Sequence, residues 1–106
     1  EWNQTFGDNS THYGRSVQQT LDGGYIIAGS LYNGNYVLCI IKTDENGQEE
    51  WNRTFSGGSY DYAYSVEQVS DGGYIISGFS NSPWTGEDDV LLIKTDSEGN
   101  TVDWPE

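Results

Sequence analysis

The strongest constraint on the fold is an internal repeat that covers nearly the whole chain. The strings WNQTF and WNRTF begin at Trp2 and Trp51, 49 residues apart. The string DGGYII recurs at the same spacing, and IKTD recurs after 52 residues because a short insertion near Pro83 lengthens the second copy. Repeats of about 40 to 50 residues are typical of solenoids and propellers, in which one unit cannot bury its own hydrophobic face. We therefore expect each unit to need a neighbour.

The repeat divides the chain into two units, residues 1–49 and residues 50–106. The first unit starts with a leading outer strand at 2–6, and the second ends with a truncated trailing strand at 101–104. Each unit is predicted to form four short antiparallel strands, because apolar residues occur in short runs between turn signals. The predicted strands of the first unit are residues 16–20, 25–29, 36–43 and 48–55, and those of the second are 65–69, 74–78 and 90–95.

Two kinds of turn separate these strands. The DGG strings at 22–24 and 71–73 supply residues that tolerate positive φ and predict tight hairpins. The DENG string at 44–47 and its counterpart at 97–99 place a glycine where a short loop needs a left-handed residue. The third strand of each unit is continuously apolar, which predicts that both of its faces are covered. This pattern differs from the clean alternation of a sandwich strand.

Composition excludes several classes of partner. The chain has 17 acidic and 4 basic residues, for a net charge of −13, and this charge repels nucleic acid and anionic membranes. No apolar run approaches the roughly 18 residues that a membrane span requires, so no membrane insertion is expected. Cys39 is the single cysteine, which rules out a disulfide within the chain. Together with the acidity, the glycosylation sequons at Asn3, Asn9 and Asn52 favour an extracellular or cell-surface location.

The repeat resembles a known group of proteins. The IKTD strings, each followed by a glycine and then by Trp51 or Trp104, combine with DGGYI to resemble the repeats of secreted bacterial and archaeal β-propeller proteins. The DxxG turn that leads to a tryptophan is also similar to the blades of quinoprotein-type propellers. The resemblance implies an all-β fold with two four-stranded antiparallel propeller blades per chain, and tryptophans that dock between blades. It implies no particular chemistry, because such repeats are often found in cell-surface proteins of no known activity.

Two blades are fewer than the roughly four to eight that close a propeller ring. If the 2–6 strand of one chain completes the last blade of the next, three chains supply six blades and four supply eight. Because such a contact is head to tail, a slightly different rotation builds a filament, although we favour a closed ring. Trp2 and Trp104 compete for the same strand position. The residues predicted to form this homo-oligomeric contact are the repeated aromatics Trp2, Phe6, Tyr25, Trp51, Phe55, Tyr74 and Trp104.

The sequence offers little for catalysis. An enzyme needs a nucleophile or an acid-base pair with an orienting partner, and His12, the only histidine, lies in a polar stretch typical of a surface loop. Lys42 and Lys94 end their third strands, where we expect the stem to cover apolar surface and the ammonium to meet a carboxylate. The chain is therefore predicted to be a non-enzymatic structural or interaction module.

Calcium binding is an alternative hypothesis for the DENG turn at 44–47 and its counterpart in the second unit. Asp44 and Asn46, and likewise Asp96 and Glu98, place oxygen-bearing side chains around a glycine, as hard-cation loops do. The twelfth position counted from Asp44 is Phe55, which offers no oxygen, so the loop is not an EF-hand. A hairpin turn explains the same residues.

A carbohydrate-binding propeller lectin is the alternative function, with a glycan or a cell-surface protein as partner. Aromatic side chains exposed on loops and strand ends can stack on a sugar ring. The predicted platforms are Tyr32, Tyr60, Tyr62 and Trp84.

Overall fold

A computed structural model describes residues 11–32, 36–55, 60–81 and 88–101 of the chain. These residues form an all-β structure of two antiparallel sheets, and they contain no helix. Sheet 1 has the strand order β1-β2-β3-β4, and sheet 2 has the order β5-β6-β7. The strands are β1 Thr11–Gln19, β2 Tyr25–Tyr32, β3 Tyr36–Thr43, β4 Glu49–Phe55, β5 Tyr60–Gln68, β6 Tyr74–Asn81 and β7 Asp88–Thr95. The all-β fold is thereby confirmed.

The DGG strings form the predicted hairpins, and each of the two glycines is required for a different structural reason. Gly23 has a φ of 88°, which L side chains rarely adopt. Gly24 is needed for space, because a Cβ there would lie 2.1 Å from the carbonyl oxygen of Thr43 on β3. The second copy repeats both features at Gly72 and Gly73. The hairpin and the end of the third strand therefore pack as one unit in each sheet.

One shared core lies between the sheets. Four residues of sheet 1 and four of sheet 2 form it, all at most 4% exposed. Burying a valine, leucine or isoleucine side chain is worth about 1.5–3 kcal/mol, so this cluster stabilises the contact between the sheets. The core residues are Ile26, Ala28, Leu38 and Ile40 from sheet 1, with Ala63, Val66, Tyr74 and Ile76 from sheet 2.

The sheets are closest at β5, which lies against β1, β2 and β3. Small side chains such as Ala28 and Ala63 fill the core there, whereas the large rings of Trp51 and Tyr74 meet farther out. Larger side chains on the side toward β4 indicate that the two sheets diverge as a wedge.

Burial of the third strand differs between the two sheets. In β3, Leu38 and Ile40 are fully buried on one face and Cys39 is 8% exposed on the other, as the continuous apolar run predicts. In β7, the prediction is wrong for the single chain, because Val90 is 90% exposed and Leu92 is 52% exposed. Sheet 1 covers one face of β7 only.

The sheets and the sequence repeat are offset by one strand. β4 pairs with β3 and so completes sheet 1, although all of it except Glu49 belongs to the second unit of the repeat. In sheet 2, an isolated bridge between Thr95 and Thr101 marks the same pairing as Thr43 with Glu49. The predicted trailing strand beyond Thr101, and the leading strand at 2–6, lie outside the described residues.

Candidate assembly interface

The contact between the two sheets, called here the internal junction, joins one defined face of each sheet. Residues that pair across antiparallel strands share a face, so the register places Ile26, Ala28, Leu38, Ile40 and Lys42 on the junction side of sheet 1. The same reasoning places Val66, Tyr74, Ile76, Leu91 and Ile93 on the junction side of sheet 2.

The outer face of each sheet repeats the junction face of the other sheet. On sheet 1, the outer face consists of residues equivalent by the repeat to the junction side of sheet 2, namely Val17, Tyr25, Ile27, Cys39 and Ile41. On sheet 2, the outer face consists of residues equivalent to the junction side of sheet 1, namely Ile75, Ser77, Val90, Leu92 and Lys94. The two outer surfaces therefore carry residues equivalent, by the repeat, to the two sides of the internal junction.

Exposure separates the two sets of equivalent positions. Val17 is 63% exposed on the outer face of sheet 1, whereas its equivalent Val66 is 4% exposed in the internal junction. Leu92 is 52% exposed on the outer face of sheet 2, whereas its equivalent Ile40 is fully buried. Val17, Val90 and Leu92 are thus exposed where their equivalents are buried, while most other residues of the outer faces are half-buried and Cys39 is buried.

Trp51 of β4 reaches across the internal junction to sheet 2. Its ring meets Tyr74 edge-on, with 6.0 Å between centroids and 64° between planes, and Arg53 lies over the same ring at 5.1 Å. A Cβ on Gly99 would lie 2.6 Å from the Trp51 ring, and Gly99 also has a φ of 82°. The turn after β7 therefore requires glycine twice, once for its backbone and once for the tryptophan of sheet 1. Trp51, Phe55 and Tyr74, all predicted assembly residues, lie in the internal junction.

A buried lysine, Lys42, joins the DGG turn of sheet 1 to β4. Lys42 is 4% exposed, and its Nζ donates to Asp22 at 3.1 Å, to Glu50 at 2.9 Å and to the Thr43 carbonyl at 2.6 Å. Burial opposes the charged form, but the hydrogen bonds and charges of Glu50 and Asp22 outweigh it and raise the pKa of Lys42. The predicted ion pair of the strand-end lysine is confirmed, with two carboxylates instead of one.

The Asp22 carboxylate accepts hydrogen bonds from three groups around it. The Thr20 hydroxyl, the Gly24 backbone N–H and the Lys42 ammonium all donate to its carboxylate, and together they lower its pKa to about 2. The carboxylate is therefore ionised throughout the physiological range. The same charges act on the Tyr74 hydroxyl. Burial raises the pKa of Tyr74, the Lys42 ammonium lowers it, and the Asp22 carboxylate raises it further.

The equivalent lysine in sheet 2 has fewer partners among the described residues. Lys94 Nζ pairs with Asp71 at 3.1 Å and donates to the Thr95 carbonyl at 2.8 Å. The Gly73 N–H and Lys94 lower the pKa of Asp71. Lys94 is 15% exposed, so it is more accessible than Lys42. Among the described residues, Lys94 has one carboxylate partner where Lys42 has two.

The proposed calcium ligands form backbone turns. Asp44 Oδ1 accepts hydrogen bonds from the backbone N–H groups of Asn46 and Gln48, both at 2.9 Å. Asp96 makes the same contacts with Glu98 and Asn100, and the hydrogen bonds from the Asn100 and Glu98 backbone N–H groups lower the pKa of Asp96. Within the described segments, no group of three histidine, cysteine, aspartate or glutamate side chains is placed to hold a metal ion. Calcium binding stays a prediction.

The predicted sugar platforms are divided between the two sheets. Tyr62 stacks on Phe79 with 4.7 Å between ring centroids, and the exposed Tyr64 leans on the same ring at 5.2 Å. Tyr32, which is 41% exposed, ends β2 of sheet 1. The side chain of Tyr60 and the whole of Trp84 lie outside what the structure describes.

The remaining predicted residues have separate positions. Tyr25 is half-buried on the outer face of sheet 1, and Asn52 is exposed on β4, where its amide donates to Glu49 at 3.1 Å. Trp2, Phe6 and Trp104, and the sequons at Asn3 and Asn9, lie outside the described residues.

Sequence reasoning missed the polar contacts of the internal junction. The Gln68 N–H donates to Gln18 Oε1 at 2.7 Å, and Gln68 Oε1 accepts from the Leu21 N–H at 2.7 Å. Neither glutamine stands out in the sequence, although both lie at positions where the repeat conserves a polar residue in the other copy. The repeat itself was the signal that could have found them.

Comparison with protein-family models and with curated proteins gives no match to this chain. In the described ranges, no helix is long and apolar enough to cross a membrane.

Proposed function

We propose that the chain is a non-enzymatic extracellular or cell-surface module that assembles head to tail with copies of itself. The outer face of sheet 2 of one copy stacks on the outer face of sheet 1 of the next. The observation that carries the proposal is the exposure of Val17, Val90 and Leu92, whose equivalents Val66, Leu38 and Ile40 are buried in the internal junction. Neighbouring exposed apolar side chains on one sheet face, as at Val90 and Leu92, are characteristic of an interaction site.

A second copy is the favoured occupant because the two outer faces are equivalent, by the repeat, to the two sides of a junction that already exists in the chain. Faces made of equivalent residues are suited to the same kind of contact between chains. Such a contact joins unlike surfaces, so it continues from copy to copy until a ring closes or a filament grows. The wedge between the sheets favours a ring, since each added pair of sheets turns in the same direction.

Strand addition is the second part of the proposed contact. Glu50 precedes the WNRTF string of β4 and supplies the second carboxylate on Lys42. Glu1 precedes the WNQTF string in the same way, and Asp103 precedes Trp104. Segment 1–6 of a second copy would therefore bring Lys94 a second carboxylate.

The mass of the particle in solution tests the proposal. Light scattering of the wild-type chain should give a multiple of 11.8 kDa, and negative-stain images should show rings or filaments. Added salt should strengthen assembly, because each copy carries a net charge of −13. Leu92→Glu should dissociate the particle, while Ser97→Glu should not, since the first copy carries Glu45 at the equivalent turn position. A wild-type chain that stays at 11.8 kDa at all concentrations would overturn the proposal.

A carbohydrate-binding module is the second candidate. The aromatic cluster of Tyr62, Tyr64 and Phe79 favours this function. Sheet 1 has Arg15 and Ser30 at the positions equivalent to Tyr64 and Phe79, so the cluster is not part of the structure that the two units share. Glycan binding that is lost in Tyr64→Ala, in a chain that remains monomeric, would support this function over assembly.

A further inference from the structure

The polar contacts around Gln68 determine how sheet 2 is aligned on sheet 1. The backbone N–H of Gln68 donates to Gln18, and the side-chain oxygen of Gln68 accepts from the backbone of Leu21. The side-chain amide also donates to the Gly72 carbonyl at 2.9 Å, which holds it against its own hairpin. Apolar contacts are non-directional, whereas hydrogen bonds need defined distances and angles, so these bonds determine the alignment.

Every member of this set has an equivalent on the outer faces. Gln19 lies 49 residues before Gln68, while Glu67 and Ser70 follow Gln18 and Leu21 by the same interval. Gln19 already makes the hairpin contact of its equivalent, because its side-chain amide donates to the Gly23 carbonyl at 3.4 Å. Gln19, Glu67 and Ser70 are all exposed. Their side chains and backbone are therefore accessible to another molecule.

We propose that Gln19 of one copy binds between Glu67 and Ser70 of the next copy. The Gln19 backbone N–H donates to the Glu67 carboxylate, and the Gln19 side-chain oxygen accepts from the Ser70 backbone N–H. This inference rests on the proposed self-assembly and specifies its partner surface, its alignment and its direction. A carboxylate in the place of the Gln18 amide makes the first bond charge-assisted, which strengthens it.

Cross-linking between copies tests this alignment. In a Cys39→Ala background, chains with Gln19→Cys are mixed with chains with Glu67→Cys and treated with a short bis-maleimide. The mixture should give a covalent dimer, and neither variant should do so alone. Gln18→Cys combined with Gln68→Cys in one chain is the positive control for the same geometry within the internal junction. Val90→Cys replaces Glu67→Cys as the misaligned control, because Val90 lies toward the other end of sheet 2.

A second measurement separates the hydrogen bond from mere proximity. Glu67→Ala should weaken assembly roughly tenfold, the effect of one lost charge-assisted hydrogen bond. Glu67→Gln, which restores the amide found at Gln18, should recover most of that loss.

The outcomes distinguish the alignment from the assembly itself. If scattering shows assembly and the internal control cross-links, but the Gln19 and Glu67 variants do not, the proposed alignment is wrong and self-assembly stands. If no particle larger than the single chain forms, the alignment and the proposed function both fail.

Discussion

β3 and β7 have nearly the same sequence pattern and different surroundings. Leu38 and Ile40 of β3 are fully buried, while Val90 and Leu92, their equivalents in β7, are 90% and 52% exposed. The strands pair in the same way with the preceding strand of their own sheets. Two neighbours make the difference: sheet 2 covers this face of β3 and β4 flanks it, whereas the equivalent face of β7 has neither neighbour among the described residues. An apolar strand of this kind is adapted to a stack of sheets rather than to one.

The largest expected difference between the two strands is in the free energy of unfolding of the isolated chain. Ile40→Ala should cost about 2–5 kcal/mol, because it leaves a cavity in the core. Leu92→Ala should cost less than about 1 kcal/mol, because much of the side chain already contacts water. Chemical denaturation below the assembly concentration measures both. Equal costs would mean that the two strands have the same surroundings.

Glycine substitutions in the turns are the next largest test of the junction. Gly99→Ala should cost about 2–4 kcal/mol, because it strains a φ of 82° and pushes against the Trp51 ring. Gly23→Ala, with a φ of 88° and only distant neighbours, should cost about 1–2 kcal/mol. Adding Trp51→Ala should remove the extra cost of the first variant and leave that of the second unchanged. If Gly99→Ala lowers the free energy of unfolding equally in the Trp51→Ala variant and in the wild type, the Trp51 ring does not contact Gly99.

Much of this architecture could be predicted from the repeat. The hairpin turns followed from DGG, and the ends of β3 followed from the apolar run between Tyr36 and Thr43. Exposure of Val90 could not be predicted, because a strand pattern reports what a residue is suited to and not whether a neighbour is present. The contacts of Gln18 and Gln68 were also missed, since an exposed glutamine has the same appearance in sequence as one that aligns two sheets.

The two lysines give a smaller contrast. Lys42→Met should cost about 1–2 kcal/mol, because Asp22 and Glu50 both lose their cation; the solvent exposure of those carboxylates limits the loss. Lys94→Met should cost less than about 1 kcal/mol in the isolated chain. Thermal or chemical unfolding at neutral pH measures both. In the assembled particle, the cost at Lys94 should rise toward that at Lys42 if Glu1 of another copy is its second partner, and Glu1→Gln should abolish that rise.

The pH dependence of unfolding gives the smallest effect. The pKa of Asp22 is about 2 in the folded chain, below the value of an unfolded aspartate. A depressed pKa means that the unfolded chain binds the proton more readily, so the stability from Asp22 is complete above about pH 4 and is lost as the pH falls toward 2. Asp22→Asn should make the unfolding free energy less dependent on pH across that window. An unchanged slope in this variant would assign the acid sensitivity to other carboxylates.

The central claim is that the two outer faces are complementary halves of one junction, and mixing two blocked variants tests it most directly. Val17→Glu blocks the outer face of sheet 1, and Leu92→Glu blocks the outer face of sheet 2. Each variant alone should remain a monomer of 11.8 kDa by sedimentation equilibrium, and the mixture should form a one-to-one dimer and nothing larger, because one intact face of each kind remains. A mixture that stays monomeric while the wild-type chain assembles, or a single variant that dimerises alone, would contradict the claim.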